Sequence, residues 1–109
     1  MSVTDFVCYV LQVPVNLDGF IYTCKAIKYV LDNNEDPRFY EHLQKELGKS
    51  YACIEKGLRL AKSKSLSSID KTAYKSIYGE KESIKTKEFI WYAAHYYGKE
   101  IMKVEDKDV

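Results

Sequence analysis

Three features of the sequence predict an all-α fold, a compact bundle of five to six helices. Apolar residues recur at helical spacing along most of the chain. Prolines number two and glycines five, far too few for a many-turned β architecture. The segments between the periodic runs are short and carry helix-capping residues. At 109 residues, with 46% hydrophobic content, the chain suits one domain with its own core.

The first segment, Val3 to Val13, reads two ways. Phe6, Val7, Val10 and Leu11 fit a helix, whereas the β-branched and aromatic content also suits a strand. Pro14 ends it in either case. A helix opens at Asp18 or Gly19, with Ile21, Cys24, Ile27 and Leu31 as its apolar stripe. The acidic run 32–36 interrupts it. That run lacks the glycine and the terminal glutamate of a calcium loop and reads as a solvated loop, with Asp36 as N-cap and Pro37 in the first turn of the next helix. This helix, Pro37 to Leu47, buries Phe39, Leu43 and Leu47, and Gly48 stops it.

Ser50 then caps a helix to about Lys64, with Ile54, Leu58 and Ala61 inward. Another runs from about Ser68 to Tyr78, with Ile69, Ala73 and Ile77 inward and Gly79 as its stop. Thr86 is the N-cap candidate of the last helix, whose apolar face holds Phe89, Ile90, Ala93, Ala94, Tyr97 and Ile101. The expected domain is 1–102, followed by a charged tail, 103–109.

Several function classes find no support. No apolar run approaches the roughly 18 residues of a membrane span, and acidic Asp5 replaces the basic start of a secretory signal. Cys8, Cys24 and Cys53 are odd in number and form no CxxC pair, which predicts buried thiols in a reducing, cytoplasmic setting. His42 and His95 lack flanking metal-ligand spacing, and no Gly-rich phosphate loop occurs. Neither enzymatic activity nor a cofactor is expected.

The segment 37–64, helix, glycine turn and Ser-capped helix, has the spacing of a helix-turn-helix. Its charge points the same way. Between Lys49 and Lys64 five cations (Lys49, Lys56, Arg59, Lys62, Lys64) face one acid, Glu55, so the segment carries +4 in a chain of net +1, and the remainder is −3. A local cationic patch attracts phosphates even on a nearly neutral chain. In such motifs the first turns of the second helix meet base edges, here Tyr51, Ala52, Glu55, Lys56 and Arg59. Lys56 and Arg59 suit guanine O6 and N7, and Glu55 suits cytosine N4 or steers its cationic neighbours. Ser50 and the free N–H groups at the helix start suit a phosphate, and Lys49, Lys62 and Lys64 suit the backbone.

In order along about Asp5 to Glu100, the sequence resembles the C-terminal effector domain of the sporulation-initiation response regulators of endospore-forming Firmicutes, the stage-zero sporulation protein A family. The resemblance lies in Val13-Pro14-Val15-Asn16-Leu17-Asp18-Gly19-Phe20-Ile21-Tyr22 with Ala26-Ile27, in Ile54-Glu55-Lys56-Gly57-Leu58-Arg59, and in Glu88-Phe89-Ile90. It implies six helices, a helical first segment, a helix-turn-helix made by the third and fourth helices, and DNA contacts from Glu55, Lys56 and Arg59. Lys56 stands where the family pattern has arginine, and Cys53 and Leu60 where it has arginine and histidine, giving a less polar reading surface. On this resemblance the chain corresponds to an effector domain without its receiver.

The expected function is a stand-alone, sequence-specific transcriptional regulator on double-stranded DNA, with two copies as a homodimer on adjacent sites. The alternative is a protein-interaction module that pairs with another regulator through an aromatic last helix (Trp91, Tyr92, Tyr96, Tyr97).

Overall fold

The helix at the centre of the molecule, α2 (Asp18–Asp32), shows why the chain folds as it does. It packs against α1, α3, α4 and α6, so it is covered on more than one side. Phe20, Thr23, Cys24, Ala26, Ile27 and Val30 are all buried along it. Ile21, assigned to the core from its spacing, is instead 51% exposed. A helix covered on two sides has an apolar arc too wide for one stripe to define, and the stripe through Ile21 follows its edge. Thr23, polar and fully buried, donates its hydroxyl to the Gly19 carbonyl at 2.6 Å.

The computed structural model describes residues 1–102; the charged tail expected at 103–109 lies outside them. Six helices and no strand occur among the described residues. The first, α1 (Val3–Asp5, continuing as the π-helical segment Phe6–Val10), is the segment whose composition fits helix and strand alike. Ser2 caps it by accepting the Asp5 N–H at 3.0 Å. Gln12 takes a left-handed conformation (φ 59°), and the Val13 N–H reaches back to the Val7 carbonyl at 3.1 Å, closing the helix before Pro14.

Helix α3 (Phe39–Leu47) begins two residues later than expected, and Pro37 lies outside it. Asp36 does not cap it. Its carboxylate takes the Arg38 backbone N–H at 2.9 Å and pairs with the Arg38 guanidinium at 2.8 Å, fixing the loop instead of the helix. The neighbouring Glu35 anchors that loop to the last helix: its carbonyl accepts Trp91 Nε1 at 2.9 Å, and its carboxylate lies 2.7 Å from His95 Nδ1.

Helix α4 (Tyr51–Ser68) runs four residues beyond the expected end at Lys64. The cause is tertiary: fully buried Ser65 donates to the Leu11 carbonyl at 2.6 Å, satisfying an acceptor left over where α1 ends. Ser68 therefore belongs to α4, and α5 (Lys71–Tyr78) starts after Asp70, whose carboxylate accepts the Thr72 and Ala73 N–H groups. The last helix is α6 (Thr86–Tyr96, continuing as the π-helical segment Tyr97–Met102). Thr86 is its first residue and not its cap; Glu88 reaches back to accept the Lys85 N–H at 2.8 Å.

One cluster of buried side chains from all six helices forms the core, with Phe6, Phe39 and Phe89 its largest fully buried members. Tyrosine contributes as core wall with a satisfied tip: Tyr78 donates to the Phe89 carbonyl at 2.9 Å and Tyr97 to the Met1 carbonyl at 2.5 Å. Tyr97 is buried, and Trp91, Tyr92 and Tyr96 are half-buried, so the aromatic surface expected on the last helix is mostly spent on packing. The three thiols are free, but only Cys24 is buried; Cys53 is exposed. No helix is long and apolar enough to cross a membrane among the described residues.

Candidate functional site

The turn between α3 and α4 is built from local chemistry. Gly48 adopts φ 64°, open to glycine without strain, and its N–H closes onto the Gln44 carbonyl at 3.0 Å. Ser50, in extended conformation, accepts the Cys53 N–H at 3.2 Å and starts α4 where the sequence predicts. The two helices pack directly on each other.

α4 divides cleanly. Ile54, Leu58, Ala61 and Ser65 are buried, while Tyr51, Ala52, Cys53, Lys56, Arg59, Leu60, Ser63 and Lys64 are exposed. Lys49, Lys56, Arg59 and Lys64 enter no ion pair among the described residues. Cys53, Lys56 and Leu60 form one wall of a shallow groove; Asn16 to Gly19 and Tyr22 form the other. The backbones meet at its floor: a Cβ on Gly19 would stand 2.2 Å from the Gly57 carbonyl oxygen, and one on Gly57 would stand 2.6 Å from the Tyr22 ring. A glycine inside a helix lowers its propensity by roughly 1 kcal/mol relative to alanine. At position 57 that loss admits the tyrosine ring.

Two of the expected site residues are occupied within the fold. Glu55, half-buried, accepts the Tyr40 hydroxyl at 2.5 Å. The expected partnership with Lys56 or Arg59 is absent; the carboxylate clasps α3 to α4. Lys62 is also half-buried, and its Nζ donates to the Ile84 carbonyl at 2.9 Å, tying α4 to the segment before α6 instead of projecting outward. A second depression opens beside these two, lined by Tyr40, Tyr51, Glu55, Lys62, Lys85, Thr86 and Lys87. Tyr40, Lys85 and Lys87 are additions that no local pattern marks, because only tertiary packing brings them to α4.

Burial first, and then the hydrogen bond it gives to Glu55, pushes the Tyr40 phenol well above its ordinary value of 10.0. The folded state thus favours the protonated phenol. Its stabilisation is fully present below about pH 10 and fades as pH rises above it. Tyr40→Phe is expected to lower stability by about 1–2 kcal/mol at pH 7, since Glu55 loses a charge-assisted bond. The variant should also lose less stability than wild type between pH 9 and 11, as urea unfolding at each pH would reveal. Equal stability of the two proteins at pH 7 would mean that the clasp contributes nothing.

Elsewhere the titratable groups pair off at the surface: His42 with Glu46 at 2.9 Å, Lys25 with Glu46 at 2.6 Å, and Lys81 with Glu88 at 2.7 Å. No group of three or more His, Cys, Asp or Glu side chains is arranged to hold a metal ion among the described residues. Among the described residues the molecule is thus a six-helix domain that exposes Lys56, Arg59 and Lys64 on the helix after a left-handed glycine turn. Comparison with protein-family models finds no match, and comparison with curated proteins finds none either.

Proposed function

We propose that this chain is a sequence-specific, double-stranded DNA-binding transcriptional regulator that presents α4 to the major groove. The observation that carries the reading is the exposed face of α4, where Lys56, Arg59 and Lys64 enter no ion pair among the described residues and the one carboxylate of the helix is held by Tyr40. Arg59, with its planar fork, is the guanine reader, and Lys56 is a second donor to base edges. Ser50 with the first N–H groups of α4, Lys49 and Lys64 contact phosphates, and Tyr51 flanks them. Glu55 acts through Tyr40, holding the angle of α4 against α3, and is not assigned to a base. Lys62 serves the same positioning end through Ile84.

The resemblance to the sporulation-regulator effector domain supports this assignment of α3 and α4 as a helix-turn-helix. Exposed Leu60 and Cys53 beside Lys56 give the face a contact for a thymine methyl in place of further hydrogen bonds. One such module covers few base pairs, so two copies on adjacent sites are part of the proposal. The role is a binding one, without catalysis or cofactor, exercised in the cytoplasm.

The test is duplex binding across salt concentrations with a site selected from a random pool. Arg59→Ala is expected to weaken the selected duplex by about 5- to 150-fold, or roughly 1–3 kcal/mol, and to relax preference at one base position. Failure of the wild-type protein to retain any duplex at low salt would sink the reading.

A further inference from the structure

The depression between α4 and the start of α6 has no part in base reading as assigned above, yet it gathers charge. Lys62, Lys85 and Lys87 line it, with Glu55 as the single carboxylate and its Oε2 already taken by Tyr40. None of the three lysines enters an ion pair among the described residues. Lys62 is fixed by the Ile84 carbonyl at 2.9 Å, and Lys87 Nζ stands 5.8 Å from the Tyr40 ring centroid. Among the lining side chains, three cations from separate elements stand against one acid; Glu88, bonded to Lys81 and also within reach of the Lys85 charge, lies outside the lining. Like charges in excess over the acids beside them repel, and an incoming anion relieves that repulsion.

We propose that this depression seats backbone phosphate of the same duplex, so that the footprint spans α4 and the start of α6. The inference rests on the reading of α4 as the DNA-facing helix. Lysines are point charges on flexible stems, suited to phosphate and poorly suited to discriminating bases. The site is open and continuous with α4 through Tyr51, which lines the depression and opens the helix. An extended polyanion fits such a surface better than an enclosed small anion does. The excess sits beside the α4 cations, and a duplex laid on that helix brings phosphates on both flanks of the groove.

The test compares wild type with K85Q/K87Q on the selected duplex and on a scrambled one, across salt concentrations. Each phosphate contact contributes about 0.9 to the slope of log K against log salt. The double variant should therefore lose between about one and two units of slope and bind both duplexes more weakly by the same factor. Its thermal melting should match wild type, since both side chains are exposed. A control with the same charge change, K28Q/K71Q on α2 and α5, should leave the slope in place. An unchanged slope for K85Q/K87Q, or an equal drop in the control, overturns the phosphate seat; if Arg59→Ala still weakens the selected duplex, the assignment of α4 stands. A wild-type protein that binds no duplex overturns both.

Discussion

Gly19→Ala is expected to destabilise the fold by about 3 kcal/mol or more, at the upper end of what overpacking does. The added Cβ would stand 2.2 Å from the Gly57 carbonyl oxygen and 3.0 Å from the Ala61 Cβ. The first is backbone inside α4 and cannot rotate away. Relief requires α2 and α4 to separate, and α2 is the helix on which four others pack. Against a total stability of about 5–15 kcal/mol, a loss of that size lowers the melting temperature by roughly 10–25 °C in a domain of this length. Gly57→Ala should be milder, because its Cβ meets the Tyr22 ring, which is a side chain, and because alanine favours the helix. Thermal melts of the two variants measure the difference. A Gly19→Ala protein within 0.5 kcal/mol of wild type, or less affected than Gly57→Ala, would show that the two backbones are not in contact.

That contact also marks the limit of what the sequence makes legible. Features decided within three or four residues are readable. Ser50 and Gly48 bracket the α3–α4 turn through bonds to Cys53 and Gln44, and the Ile54–Leu58–Ala61 stripe follows from spacing. Where a residue has a choice of nearby partners, spacing does not select among them: Asp36 has the position of a cap but bonds Arg38, and Thr86 yields its capping role to Glu88. Features decided across the chain are not readable. Nothing around Ser65 announces that Leu11, 54 positions earlier, needs a donor, so local spacing ends α4 four residues early. Glu55 and Lys62 look like surface charges because Tyr40 and Ile84 lie 15 and 22 positions away. A charge count confined to 49–64 likewise misses Lys85 and Lys87, which packing brings beside it. The cationic helix is therefore legible in sequence, whereas the division of its charges between holding the fold and facing outward is not.

Phe39→Ala is expected to remove about 3–5 kcal/mol, the range for a fully buried phenylalanine. The damage should concentrate on α3. That helix has nine residues, too few to persist on propensity alone, and Phe39, Tyr40 and Leu43 are its buried anchors. Phe39 stacks on the adjacent Tyr40 ring at 4.8 Å, and Tyr40 reaches across to Glu55 on α4. Loss of the Phe39 ring thus frees the residue that makes the α3–α4 clasp. The two side chains should act as a unit: Tyr40→Phe, which weakens wild type by about 1–2 kcal/mol, should weaken the Phe39→Ala protein by clearly less. Urea unfolding of the two single variants and the double variant gives the coupling. Strict additivity would mean that α3 stays docked without Phe39 and that the clasp works independently of it. A strong positive coupling would make the aromatic start of α3 the feature that sets how α4 is presented. In that case Phe39→Leu, which refills most of the volume, should recover most of the stability and the Tyr40–Glu55 contribution together.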